Sequence, residues 1–122
     1  MGEKAKALVV DDTEFHSNFL KMFLRMKRFD VTVAKDGVEG LAAAKAETFQ
    51  LVFSDIEMPN MNGIELLRAL KRLPAYQSVP VVMLSTLDSD EMKQKSASLG
   101  AFDYMVKPFN AEKMEALFTK LG

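Results

Sequence analysis

The chain has no cysteine, no apolar run long enough to cross a membrane and no surplus of charge of either sign, and each absence removes a class of function. Without cysteine there is no disulfide framework and no thiolate to serve as nucleophile or metal ligand, though this is neutral about compartment. A formal net charge of −1, from 16 basic and 17 acidic side chains, provides nothing for bulk electrostatic binding of nucleic acid or an anionic membrane. No stretch approaches the roughly 20 apolar residues of a spanning helix, and Met1-Gly2-Glu3-Lys4 lacks the apolar core of a secretory leader. The expectation is a cytoplasmic protein that touches neither membrane nor, directly, nucleic acid. Repeats, linkers and low-complexity tracts are also missing, so the 122 residues, 48% of them apolar, are expected to fold as a single domain over 1–122.

What the chain does have is a series of apolar runs that end in polar residues. Asp11 and Asp12 follow Ala7-Leu8-Val9-Val10, Asp55 follows Leu51-Val52-Phe53-Ser54, Ser85 follows Val81-Val82-Met83-Leu84, and Lys107 follows Tyr104-Met105-Val106. Between the runs the pattern turns helical. Phe15, Phe19, Met22, Phe23 and Met26 recur at helical spacing behind a cap at Asp12 or Thr13. A strand is expected over Val31–Ala34, a turn at Asp36-Gly37 and an Ala-rich helix over Val38–Ala46 with Leu41 inward. The turn-forming segment Met58–Gly63 leads into a helix marked by Ile64, Leu67 and Leu70 and stopped at Pro74. Asp88–Leu99 reads as a helix opened by Asp88 or Ser89 and closed by Gly100, and Asn110 caps a last helix that turns Met114, Leu117, Phe118 and Leu121 inward. Strands that are apolar throughout need helices on both faces, so five β-α units predict a doubly wound α/β three-layer sandwich with a five-stranded parallel sheet. The carboxyl ends of such strands line one edge, where open α/β sheets bind ligands.

Three carboxylates, a hydroxyl and an ammonium would then converge on one pocket. Adjacent carboxylates raise each other's pKa unless a cation neutralises them. A hard divalent ion suits Asp11, Asp12 and Asp55: Mg²⁺ takes one or two carboxylates, water and a phosphoryl oxygen. Lys107 and Ser85 can hold the remaining phosphoryl oxygens. Asp55, alone at the end of the central strand, is the best nucleophile for a covalent aspartyl phosphate.

Asp11-Asp12, Asp55-Ile56-Glu57-Met58-Pro59 with Gly63, Ser85, Tyr104 and Lys107-Pro108-Phe109 together resemble the receiver domain of bacterial two-component response regulators, closest to the CheY-like single-domain chemotaxis type. The resemblance covers the whole chain and implies a flavodoxin-like sheet of order 2-1-3-4-5. It further implies that Asp55 accepts a phosphoryl group from a sensor histidine kinase, from a phosphotransfer protein or from a small donor such as acetyl phosphate. Asp12, Asp55 and the Glu57 backbone carbonyl would bind Mg²⁺, with Asp11 acting through water. Ser85 and Lys107 would contact the phosphoryl oxygens, Tyr104 would be the rotameric switch, and the Lys107-Pro108 bond would be cis. A downstream target would read the face made by the fourth helix, fifth strand and fifth helix, and the chain would be a monomer. No turnover enzyme is implied, only self-phosphorylation and autodephosphorylation.

The chain departs from the family pattern in places. Ser85 keeps the hydroxyl but not the methyl of the threonine that receivers often carry, and Thr86 narrows access where a small residue is common. Glu57 and Leu87 flank the path of the hydrolytic water. The wording around Glu57 and Ser85 also resembles receivers fused to chemotaxis histidine kinases, so an excised module or phosphate sink of a larger hybrid kinase or regulator is the alternative. A haloacid-dehalogenase-type phosphatase needs Asp-x-Asp on its first strand, which Asp11-Asp12-Thr13 does not supply, and a flavodoxin-like FMN carrier would not meet its phosphate with carboxylates. His16 reads as a solvated side chain. Lys21, Arg25, Lys27 and Arg28 read as cations offsetting a helix dipole, and the nine methionines as fillers of core gaps, with adaptable contacts on the partner face as the alternative for Met92 and Met105.

Overall fold

The computed structural model describes residues 4–122; the reading of Met1–Glu3 as leaderless lies outside the described residues. Strands β1 (Ala5–Val10), β2 (Phe29–Ala34), β3 (Leu51–Asp55), β4 (Val81–Ser85) and β5 (Asp103–Val106) alternate with helices α1 (Glu14–Met26), α2 (Gly37–Ala46), α3 (Gly63–Lys71), α4 (Asp90–Ser98) and α5 (Ala111–Leu121). The sheet is parallel throughout, in the order β2-β1-β3-β4-β5. This is the flavodoxin-like arrangement.

Alternation along each strand divides the interior in two. Leu8, Val10, Val52, Val81 and Met83 point to the face covered by α2 and α3, where they meet Ile64, Leu66, Leu67 and Leu70. Ala7, Val9, Leu51, Phe53, Val82 and Leu84 point to the other face and meet Leu20, Phe23 and Leu24 of α1 and Met114 and Leu117 of α5. All five residues of β3 and of β4 are buried. That explains their unbroken apolar sequence: both faces of the inner strands are covered.

Caps set most helix ends. Asp36 accepts from the Glu39 N–H and opens α2, so Gly37 is the first residue of that helix rather than part of a turn. Asn62 and Glu65 form a reciprocal capping box at α3. Ser89 and Asn110 cap α4 and α5, and Gly100, at φ +103°, ends the turn after α4. The α4 helix is thus shorter than Asp88–Leu99. On the edge strand, β2 begins two residues before Val31, because Phe29 packs inward against Phe118 while Asp30 faces out.

The helix expected from the spacing of Phe15 to Met26 is present as α1, but not all of those residues are buried. Phe19 and Phe23 face the core, but Phe15, Met22 and Met26 are 79%, 60% and 75% exposed. Their places inside are taken by Leu20 and Leu24. The apolar residues of this helix form two stripes, and the sheet covers only one.

Candidate functional site

Register builds the site. Val10 pairs with Ser54 across β1 and β3, so the next residues, Asp11 and Asp55, leave the sheet side by side. Asp55 pairs with Leu84, and Ser85 with Val106, which puts Ser85 and Lys107 at the same edge. The Lys107 N–H donates to the Ser85 carbonyl at 2.7 Å and continues the ladder one step past β5. Gly63 closes the floor: a Cβ there would collide with the Asp55 carbonyl oxygen, so only glycine lets α3 start against the end of β3. The Lys107-Pro108 peptide is cis.

The Lys107 ammonium lies 3.1 Å from Asp11 Oδ2 and 3.2 Å from Asp55 Oδ2, with all three side chains almost fully buried. Asp11 Oδ1 accepts from the Thr13 N–H at 2.9 Å, which bends the chain out of β1 into α1. Asp12 is exposed, yet oxygens of Asp11, Asp12 and Asp55 lie within 4.8 Å of one another. One ammonium among three carboxylates leaves the group short of positive charge. Burial, more than the repulsion of Asp11 and Glu57, pushes the Asp55 carboxyl up to about 6 against the opposing pull of Lys107. Asp55 Oδ1 is buried and has no hydrogen-bond partner. A donor set of carboxylate oxygens that includes a buried, unpartnered oxygen fits a hard divalent cation such as Mg²⁺.

The structure therefore brings Asp11, Asp12, Asp55 and Lys107 together as expected. Ser85 is at the edge, but its hydroxyl donates to Glu57 Oε2 at 2.8 Å. Tyr104 is half-buried on β5, with its hydroxyl donating to the Leu87 carbonyl at 2.7 Å. The alternative for the two methionines and one other reading are corrected. Met105 is a core residue, 7% exposed, and Met92 leans on the opposite core cluster, so neither is a free contact. His16 is half-buried rather than solvated: its ring lies 5.9 Å from that of Phe109 and its Nδ1 is buried without a partner. Burial first, and Lys107 second, lower its pKa.

Sequence reasoning missed the side chain of Glu57, to which the resemblance gave only a backbone role and a place beside the water path. The signal was available: a carboxylate two residues beyond β3 faces the end of β4 in any sheet where those strands are neighbours. It missed Tyr76 altogether, since nothing local marks a tyrosine after Pro74 as buried.

An open α/β sheet with a cation-seeking acid cluster and a lysine at its carboxyl edge defines a class of phosphoryl- or metal-handling domains. Comparison narrows it: residues 7–119 match the response regulator receiver domain family. The chain belongs to that family. It is 34% identical to the chemotaxis response regulator CheY4 of Vibrio cholerae, whose crystal structure superposes with a TM-score of 0.90 over 98% of this chain and 99% of that one. It is also 35% identical over 114 residues to the uncharacterized transcriptional regulatory protein YkoG of Bacillus subtilis, covering 93% of this chain and 49% of the relative. The response regulator ArlR of Staphylococcus saprophyticus is 32% identical over 111 residues, again 91% of this chain and 49% of the relative. The chain thus spans about half the length of these curated relatives. Among the described residues, no helix is long and apolar enough to cross a membrane.

Proposed function

We propose that this receiver domain takes a phosphoryl group on Asp55 from a histidine kinase or phosphotransfer protein, and that the modified edge alters the surface of α4, β5 and α5 for a downstream target. The observation that carries the reading is the Asp55 carboxylate, buried, held at one oxygen by Lys107 and unpartnered at the other. In the transfer a carboxylate oxygen of Asp55 bonds to phosphorus as the donor's P–N bond breaks, and the imidazole leaves with the electron pair. Lys107 balances the added charge, and Ser85 can donate its proton to a phosphoryl oxygen once that proton is free. Asp11, Asp12, Asp55 and the Glu57 carbonyl would hold Mg²⁺, which when bound offsets negative charge on both carboxylates and phosphoryl group. No substrate is turned over beyond this; hydrolysis of the acyl phosphate resets Asp55.

The likeness to a chemotaxis regulator along nearly the whole of both chains supports a role in chemotaxis, with 1–122 as one receiver domain. The half-length matches to transcriptional regulators support the second reading, a receiver module or phosphate sink of a larger protein. Incubation with Mg²⁺ and acetyl phosphate, followed by intact-mass measurement, tests the core of the proposal. Wild type should gain one phosphoryl group and Asp55→Asn none; full labelling of Asp55→Asn would show that another residue is the acceptor.

A further inference from the structure

The Glu57 carboxylate makes contacts that phosphoryl acceptance does not require. Its Oε2 accepts from the Ser85 hydroxyl at 2.8 Å and its Oε1 lies 3.4 Å from the Thr86 N–H. Ser85 Oγ accepts in turn from the Leu87 N–H at 3.0 Å, and the Leu87 carbonyl accepts from the Tyr104 hydroxyl at 2.7 Å. One run of contacts thus joins the loop after β3, the end of β4, the loop before α4 and the ring on β5.

We infer that Glu57 is a positioning residue, a latch that occupies the Ser85 hydroxyl proton in the unmodified chain and must release it before Ser85 can bind a phosphoryl oxygen on Asp55. The inference rests on the phosphoacceptor reading. A serine hydroxyl has a single proton to donate, so the carboxylate and a phosphoryl group compete for it. A phosphoryl group on Asp55 also brings negative charge to the same edge, which favours departure of Glu57 just as Ser85 is needed. Because the Leu87 N–H is bonded to the same Ser85 oxygen, movement of that oxygen bears on the loop that holds Tyr104. Ser85 is fully buried but Glu57 is exposed. The bond between them is therefore weaker than a buried charged one and can be broken by a competitor.

The test is a double-mutant cycle on the affinity for beryllofluoride at saturating Mg²⁺, measured in wild type, Glu57→Ala, Ser85→Ala and the double variant. Freeing the hydroxyl should make Glu57→Ala bind about fivefold tighter than wild type, the net worth of an ordinary hydrogen bond, as suits a carboxylate that is exposed. In the Ser85→Ala background the same change should have less than about a twofold effect, because the latch has nothing to hold. An equal gain in both backgrounds would reduce Glu57 to simple charge repulsion and overturn the latch. So would no gain in the wild-type background. A wild-type chain that takes no phosphoryl group from acetyl phosphate overturns the phosphoacceptor reading and the latch together, a result recognisable by its independence of Glu57.

Discussion

Both ends of β3 bury polar groups, and they do so in opposite ways. At its start, the Tyr76 hydroxyl accepts from the Phe49 N–H at 3.1 Å and lies 2.8 and 2.9 Å from the carbonyls of Ala44 and Glu47, so it is fully partnered and ties α2 to the strand. At its finish, Asp55 shares one ammonium with Asp11 and leaves an oxygen unpartnered. A buried polar group with all its bonds made is structural, and removing any part of it costs stability. A buried group with bonds unmade is held in place by the rest of the fold and is ready for something else. Removing the Asp55 charge and removing the Tyr76 hydroxyl should therefore change stability with opposite signs.

The largest effect is expected at Lys107. Removing a nearly buried cation from between two carboxylates leaves both uncompensated, and Lys107→Ala should lose about 3 kcal/mol of stability in urea unfolding at pH 7.5 without metal. The deficit should shrink as pH falls and Asp55 gains a proton. A loss as small as that at an exposed lysine would mean that the ammonium does not hold this edge together.

Asp55→Asn should move stability the other way. Asp55 titrates near 6 in the fold and near its ordinary 3.8 when unfolded, so the folded state binds the proton more tightly. Its contribution is favourable below about pH 4, is lost as pH rises through 6, and leaves a cost at neutral pH of up to about 3 kcal/mol. Hydration at the sheet edge and the loss of one Lys107 contact reduce what the variant can recover. Asp55→Asn should thus be about 1 to 2 kcal/mol more stable than wild type at pH 7.5, with the gap closing toward pH 4.5. Thermal unfolding across that range measures it, and a gap that widens on acidification would contradict the buried, strained carboxylate.

Tyr76→Phe comes next, and only with a loss. It strands the Phe49 N–H and the Ala44 carbonyl in the interior, which costs about 1 to 2 kcal/mol, while labelling of Asp55 by acetyl phosphate should stay within about twofold of wild type. Tyr76 being neutral to stability would remove the contrast between the two ends.

How much of this was legible follows from what each feature depends on. The sheet and the four polar strand ends depend on period and order along the chain, which sequence carries directly; Asp11, Asp55, Ser85 and Lys107 fell into place because each ends a strand or directly follows one. The inner face of α1 was not legible because Phe15, Met22 and Met26 recur as regularly as Leu20 and Leu24, and only the packing against the sheet decides which stripe is covered. Phe29 was missed because an edge strand buries one face and looks half polar. The Glu57–Ser85 contact and the Tyr76 hydroxyl depend on where a side chain points across two elements, and no local pattern encodes that.

The smallest effect sharpens the contrast by adding an exposed polar contact. Lys27, just past α1, was read as a cation offsetting the helix dipole; it lies 2.7 Å from Glu115 of α5 and 5.6 Å from the centres of the Phe23 and Phe118 rings. Its charge is paired in water, and its stem covers aromatic surface. Glu115→Ala removes only the ion pair and should cost about 0.5 kcal/mol or less, vanishing in molar salt. Lys27→Ala also removes the stem and the contact with both rings, so it should cost about 1 kcal/mol, most of it surviving in salt. Urea unfolding of both variants at low and high salt separates the two parts. Equal, salt-sensitive losses would show that Lys27 acts through charge alone.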